Sequence, residues 1–382
     1  MGTLKKIFFL LRDTFILPYV SSSLAKAIVG QFDYVFLIHP RNHSDYFRQY
    51  PFLKYFPKGL ITLVVSKLGP ITVSKISGAY NKDGKIKKGI LLSLLMTPDT
   101  MIADKDLARK KILLASSIGH KLGAKIMGLG ALSASITDRG MYLSQRSKIG
   151  ITTGHAFTVI IVVRNLLRIM KKMGSSPLTV KVGVIGAAGS VGDACFRLLL
   201  KKGIKNFVLI DKKVESLRNK LETTTGIVFS DDISQIKSCD YIITATNAPY
   251  AILRSTHTRP GTIILDDAQP TDVHSDVEER DDVMVIDAGV CRLSGVVSNF
   301  NMGLLTTNEI FGCLAETIAL SWLDWEKHYT IGDVTESLLE NSQLLFDRVG
   351  FEDVNFRRNK KIYTDRDIER IKKIRSARHE AN

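Results

Sequence analysis

Val182-Gly183-Val184-Ile185-Gly186-Ala187-Ala188-Gly189-Ser190-Val191-Gly192 runs directly into Asp193-Ala194-Cys195-Phe196-Arg197-Leu198-Leu199-Leu200. An apolar run stops at three glycines spaced G-x-x-G-x-x-G, and a helix-compatible stretch follows. Strand, glycine turn and helix in that order make a cradle for a pyrophosphate. Gly186 turns the chain, Gly189 lets the backbone approach the phosphates, and Gly192 lets the helix pack closely on the strand. Ala188, Ser190 and Val191 fill out the predicted cofactor-binding loop. The free N–H groups and the dipole at the helix start favour negative charge there. The glycine spacing alone is a weak signal. A strand before it and a helix after it make it specific.

The next segment strengthens the reading. Asn206-Phe207-Val208-Leu209-Ile210-Asp211 reads as a second strand. It ends in an acid about 20 residues past the last glycine, the position that binds the cofactor ribose. Asp211 favours NADH, because it binds both ribose hydroxyls and repels a 2′-phosphate. Lys212 and Lys213 follow at once, and either hold the 2′-phosphate of NADPH or are solvated at a turn. The reading leans to NADH with NADPH as the alternative. Short apolar runs recur at Ile227-Val228-Phe229, Tyr241-Ile242-Ile243, Thr262-Ile263-Ile264-Leu265 and Val283-Met284-Val285-Ile286. Thr246, just past the second of these, is placed with the cofactor site. β-rich runs without alternation predict parallel strands buried on both faces. Residues 178–300 are therefore read as a doubly wound Rossmann domain.

The chain has 382 residues, more than one ordinary domain, and 45% are apolar, ample for real cores. Upstream, Tyr34-Val35-Phe36-Leu37-Ile38-His39-Pro40 reads as a strand, with Leu60–Val65 and Gly69–Val73 as two more. Lys82-Asp83-Gly84-Lys85 signals a turn, Lys105 to His120 a helix, and Gly123 to Gly130 a glycine-broken strand. The fold class is thus α/β. An N-terminal α/β substrate domain covers 31–150, a connecting helix 151–177 precedes the Rossmann domain, and a C-terminal helical region with a basic tail covers 301–382.

Both ends are unusual. Leu4 to Pro18 has a wide apolar face interrupted by Arg12 and Asp13, so the 1–30 segment is expected to lie on a membrane, or to dock on the core or a second subunit, not to cross a bilayer. No apolar run is long enough to span one, and no signal-peptide pattern is present. The expected location is cytoplasmic, with peripheral membrane contact as the variant that the first helix raises. Net charge is +15, and Arg357 to Arg378 concentrates the excess. Ile368, Ile371 and Ile374 or Arg375 at helical spacing make that tail an amphipathic basic helix, either a solvated face or a contact for an acidic protein or anionic lipid. There is no aromatic interleaving and no recognised motif, so nucleic acid is not an expected partner. The cysteines at 195, 239, 291 and 313 form no C-x-x-C and no zinc pattern, so they read as reduced thiols and no metal is predicted.

A second candidate centre lies downstream. Thr306-Thr307-Asn308-Glu309 has the form of a capping box opening a helix from Ile310 to Leu320. Cys313, Glu316 and Thr317 then share a face, with Glu309 one turn before. In that register Cys313 is too far along the helix for the dipole to lower its pKa, and nearby carboxylates raise it. From these residues alone, a buried structural cysteine is the simpler reading.

Taken together, Ile151-Thr152-Thr153-Gly154, the loop Gly186 to Gly192, Ile286-Asp287-Ala288-Gly289-Val290 and Phe311-Gly312-Cys313-Leu314-Ala315-Glu316 resemble the cyanobacterial-type long-chain acyl-(acyl carrier protein) reductase family. Leu129-Gly130-Ala131-Leu132-Ser133 is similar to that family's glycine-rich turn. The resemblance runs from about Tyr34 to Trp325, and no single motif carries it. It implies NADPH-dependent reduction of a fatty acyl thioester, on acyl carrier protein or CoA, to the fatty aldehyde through a thioester on Cys313. It also implies an aldehyde-consuming enzyme downstream. Glu316 would then manage protons as a raised-pKa carboxyl, or be an ordinary helix-surface acid. The chain departs from the family at His155, where an asparagine is usual. Phe157 replaces a histidine, and Asp211 a small residue. His155 either assists the thiol or binds substrate, or is a satisfied buried histidine. Two other classes stay open: an alcohol or quinate/shikimate-type dehydrogenase with no covalent step, and a non-catalytic nucleotide-binding protein at a membrane.

Overall fold

The computed structural model describes residues 3–81, 83–219, 221, 225–300 and 302–380. Its first sheet is built from β1 (Tyr34–Ile38), β2 (Ile71–Ser77), β3 (Gly89–Ser93), β4 (Ile126–Leu129) and β5 (Gly150–Thr152). The second holds β6 (Lys181–Ile185), β7 (Asn206–Ile210), β8 (Ile227–Ser230), β9 (Tyr241–Thr244), β10 (Ile263–Asp266) and β11 (Met284–Asp287). The remaining strands used below are β12 (Val290–Arg292), β13 (Val297–Ser298) and β14 (Glu309–Phe311).

The second sheet is parallel throughout, in the order β11-β10-β9-β6-β7-β8. This is the doubly wound dinucleotide-binding order, whose crevice opens where the order reverses, between β6 and β9. Apart from the edge strand β8, whose Val228 is exposed, its strands are largely buried on both faces, which is why they read as unbroken apolar runs. The first sheet is mixed, in the order β13-β2-β3-β1-β4-β5. β3, β1, β4 and β5 run parallel, while β2 and β13 are antiparallel to their neighbours.

Two helices lie between the sheets. The central helix, His155–Met173, buries most of its length, including Phe157, Val159, Ile160, Leu166 and Ile169. The cysteine helix, Gly312–Trp322, is buried almost all round. Their side chains join one face of each sheet, through Tyr34, Phe36, Val182 and Val184 among others, in a single core. Buried apolar area of this extent is the main stabilising term, at about 25 cal/mol per Å². The outer face of the first sheet is covered by helix Lys105–Lys121.

Several expectations are corrected. Leu60–Val65 is not a strand but part of helix Lys58–Lys67, because Ile61 and Val65 at i and i+4 supply its buried face. The capping-box sequence opens no helix. Glu309–Phe311 is a strand paired with β12, and the helix begins only at Gly312. Just ahead of the 301–382 segment β13 pairs with β2, and within it the cysteine helix packs against β1 and β4 of the first sheet. The basic tail is also not a free surface helix. Ile368, Ile371 and Arg375 of helix Asp365–Glu380 are buried, and Arg375 donates to the carbonyls of Gly261 and Asp240 at 2.7 and 2.9 Å. Arg358 pairs with Asp266 at 2.8 Å and Asp287 at 3.1 Å, so much of the tail's charge serves the Rossmann domain. At the other end, helix Thr3–Phe15 is docked. Arg12 and Asp13 are buried, and Asp13 accepts from the Thr72 N–H at 2.7 Å and the Thr72 hydroxyl at 2.6 Å. No helix among the described residues is long and apolar enough to cross a membrane.

Candidate active site

The glycine loop folds as its spacing dictates. Gly186 ends β6 at φ +83°, where a Cβ would lie 2.6 Å from the carbonyl oxygen of Ala245 across the crevice. A Cβ on Gly192 would lie 2.2 Å from the Gly186 oxygen, so only glycine lets helix Ser190–Lys201 approach the strand. A Cβ at Gly189 would meet the same oxygen at 3.0 Å. Asp211 closes the loop, accepting from the N–H of Ala188 at 3.0 Å and of Lys213 at 2.8 Å. Lys212 and Lys213 are exposed beside it. Thr246 stands on the far lip of the crevice, with its N–H and hydroxyl both given to Asp272. The cradle geometry fits a dinucleotide: three close approaches that a side chain would block, a free helix N-terminus and an acid at the ribose position.

A cavity of about 340 Å³ leads away from this crevice. Val191, Ala245, Thr246 and Asn247 line its nucleotide side, and Phe36, Ile38, Leu129, Phe300 and Phe311 give it apolar walls. Phe9, Leu10 and Tyr46 line it further out, towards Lys6, Arg41 and Arg48. Cys313 and His155 line the same cavity.

Glycines set the position of Cys313. At Gly128 on β4, a Cβ would fall 1.9 Å from the Thr317 hydroxyl. At Gly154, ahead of the central helix, it would fall 2.2 Å from Cys313 Cα, and at Gly312, 2.9 Å from Thr158 Cα. Three missing side chains thus let the cysteine helix press against β4 on one side and the central helix on the other. The Gly312 N–H donates to the Gly289 carbonyl at 2.9 Å, fixing the helix start beside the end of β11. Because the helix starts at Gly312, Cys313 lies in its first turn, where the backbone N–H groups favour a thiolate. The expectation that it lies too far along the helix is therefore reversed. Burial and the facing Asp267 carboxyl push the thiol up to about 12, while the N–H groups of Leu314 and Cys313 pull the other way.

The carboxyls differ from the sequence expectation. Glu309 is drawn off towards the tail, where Arg357 lies 3.3 Å from its carboxylate, so it does not flank the thiol. Glu316 is fully buried and is not among the residues lining the cavity. It accepts from the Thr152 hydroxyl and, at 3.0 Å, from the N–H of Phe157 in the first turn of the central helix. Burial raises its pKa, and the bonds from Thr152, Thr330, Phe157 and Gly154 oppose the shift. It is a helix cap that ties the two helices together, and the surface-acid alternative is excluded. Phe157 is equally remote, packed edge-on against Phe346 and Phe351 at 5.4 and 5.8 Å.

The cavity carboxyl that faces Cys313 is Asp267, which the sequence reading missed. It follows β10 and occupies the space over Gly289, where a Cβ would lie 1.9 Å from its Oδ1. Burial, then the neighbouring Asp266 and Asp272, hold its pKa well above the ordinary carboxyl value. Asp272 is pushed up to about 7 by burial, against the bond from the Thr246 hydroxyl. His155 is also neutral near pH 7. Burial, with Arg139 nearby, lowers its pKa to about 4, and its Nδ1 is buried without a hydrogen-bond partner. His39 was likewise unmarked in the sequence. Its Nε2 accepts from the Leu132 N–H at 3.1 Å and its Nδ1 donates to the Pro40 carbonyl at 2.9 Å, so it ties the turn after β4 to β1.

The sequence model of the shikimate/quinate 5-dehydrogenase family matches residues 168–289. That span is the Rossmann sheet with the end of the central helix. Among curated proteins, the chain is 25% identical to the aminotransferase PigE of a Serratia species over 264 residues, which are 65% of this chain and 30% of PigE. It is 23% identical to a long-chain acyl-[acyl-carrier-protein] reductase of Synechococcus elongatus over 264 residues, 65% of this chain and 77% of that protein. The chain thus spans under a third of PigE and most of the reductase. Among solved structures, an NAD-dependent malic enzyme from Thermotoga maritima superposes with a TM-score of 0.41 at 14% identity, covering 93% of this chain and 86% of that one. The fold and the matched nucleotide domain define an NAD(P)-binding, dehydrogenase-like protein.

Proposed function

We propose that this protein reduces a long-chain fatty acyl thioester to the aldehyde, using NAD(P)H and a covalent acyl group on Cys313. The observation that carries the reading is the shared cavity: Val191 of the nucleotide loop, Ala245 and Thr246 across the crevice, the apolar Phe36, Ile38 and Phe300, and Cys313 all line it. The distant similarity to the acyl-carrier-protein reductase supports it.

Gly186, Ala188, Gly189, Ser190, Val191 and Gly192 would hold the pyrophosphate, with Asp211 and Lys212 at the adenosine ribose and Thr246 across the crevice. When bound, NAD(P)H supplies the hydride that takes the acyl group to the aldehyde oxidation level. The chain's own residues do the rest. The Cys313 thiol passes its proton to the unpartnered His155 Nδ1 as the sulfur attacks the thioester carbonyl. The departing pantetheine sulfur takes that proton back, which leaves acyl-Cys313 and a free thiol. Asp267, whose pKa is raised by burial and by the neighbouring Asp266 and Asp272, is placed to give a proton to the oxyanion formed at the same carbon and to recover it from solvent. Collapse of the hemithioacetal then frees the aldehyde and returns the proton to the Cys313 sulfur, regenerating the thiol and the oxygen as a carbonyl. Glu316 acts as a positioning residue by locking the cysteine helix to the central helix. The apolar passage excludes water from the acyl-enzyme, and the positive surface suits an acidic carrier protein or the phosphates of CoA.

Intact-mass spectrometry after incubation with long-chain acyl-CoA or acyl carrier protein, without cofactor, tests this. A mass increase of one acyl group that disappears in Cys313→Ala is expected. The match of residues 168–289 to the shikimate/quinate dehydrogenases favours one other reading, hydride transfer with no covalent step. Full turnover by Cys313→Ser would select it.

A further inference from the structure

We propose that the exposed sides of helices Thr3–Phe15 and Lys58–Lys67, with residues 52–56 between them in sequence, form a bilayer-docking face, through which the protein rests on a membrane rich in anionic lipid. The observation is a second apolar face on elements that already bury one. Helix Lys58–Lys67 buries Ile61 and Val65, yet Leu60, Leu63 and Val64 on its other side stand 46%, 56% and 52% exposed. Helix Thr3–Phe15 directs Phe9 and Leu10 into the cavity while Phe8, Leu11 and Phe15 face solvent. Between them in sequence, Phe52, Tyr55 and Phe56 are exposed, with Tyr55 at 89%. A soluble helix keeps one stripe apolar; these two are apolar on both sides. The two helices are neighbours, since Leu10 packs into the same small cluster as Ile61, Val65 and Tyr46.

The charge around this face selects the occupant. Arg41, Arg48, Lys54, Lys58 and Lys67 are exposed on it, and Asp45 is the one acid between residues 41 and 67. Exposed aromatics flanked by lysines suit the headgroup boundary, and basic residues add attraction to anionic lipid. A second copy of the chain would set these cations against one another. Arg12 and Asp13, buried against Thr72, fix the first helix to the protein, so it would lie in the surface plane as part of the body and not as a loose anchor. The inference does not rest on the chemistry proposed at Cys313.

Flotation of the full chain with vesicles tests it. Vesicles of phosphatidylcholine with phosphatidylglycerol are expected to carry the protein up the gradient. Phosphatidylcholine alone should carry less, and high salt should narrow the difference. The triple variant Leu60→Ser/Leu63→Ser/Val64→Ser alters only exposed positions off the cavity. It should lower partitioning at least about tenfold, with thermal unfolding and NAD(P)H binding unchanged. Lys54→Glu/Lys58→Glu should remove the preference for the anionic vesicles. Absence of wild-type protein from both vesicle fractions would overturn the proposal. So would a triple variant that still floats fully but has changed from dimer to monomer in sedimentation, which would assign the face to a second copy.

Discussion

The two halves of the cavity are built in opposite ways. The nucleotide half comes from one continuous stretch: β6, the glycine loop and the helix that follows, closed by Asp211 at the next strand end. The thiol half is assembled from pieces far apart in sequence: Gly154 and Asp267 meet Cys313, Gly312 precedes it, Gly289 makes room for Asp267, and Gly128 admits Thr317 of the same helix. A local device tolerates change elsewhere in the chain. An assembled one depends on every contact that brings its parts together.

Substitutions should therefore separate the halves. Cys313→Ala should cost the most, abolishing aldehyde formation by on the order of 10³-fold or more, with NAD(P)H binding by fluorescence unchanged. Next come the two carboxyls. Asp267→Asn should lower turnover by about 10²–10⁴-fold with little change in unfolding temperature. Glu316→Leu leaves the Phe157 N–H and the Thr152 hydroxyl without their acceptor, so it should destabilise by about 3 kcal/mol in thermal unfolding, with activity falling in parallel. If Glu316→Leu instead lost turnover at full stability, the contrast between the two acids would fail. Gly192→Ala, whose Cβ would press on the Gly186 oxygen, should weaken NAD(P)H binding by about 10- to 100-fold while cofactor-free acylation of Cys313 persists.

The smallest effect is expected at the seam. Asp272 has a folded pKa of about 7 against 3.8 for the ordinary group. The folded state therefore holds a proton that the unfolded chain has lost between those values, so this group's stabilisation is complete below 3.8 and fades as pH rises to about 7. Asp272→Asn should flatten that part of the unfolding-temperature profile by about a few degrees.

Legibility in the sequence follows the same division. The Rossmann strands and the cradle were readable because glycine spacing, apolar runs and the acid at Asp211 act within short range. Cys313 was visible as a residue, but its setting was misread. Thr306 to Glu309 has a helix-start pattern, yet pairing with β12 holds Glu309–Phe311 extended, and this moves the thiol to the first turn. Glu316 read as either a proton-managing carboxyl or a surface acid, because helical spacing gives a face but not what that face meets. Asp267 carried no signal, since Leu265-Asp266-Asp267 reads as an ordinary strand end. An acid there gains significance only once β11 and the cysteine helix close over it. Gly128, read as a break in a strand, is the slot that admits Thr317.

The return of the chain at β13 has a consequence for biosynthesis. The first sheet takes its edge strand from Val297–Ser298 and its covering helix from Gly312–Trp322, both made after the whole nucleotide domain. As the polypeptide leaves the ribosome, its leading segment must wait, with one side of β1 and β4 bare, until more than a hundred further residues have emerged and folded. That interval is when a chaperone would find the most to hold.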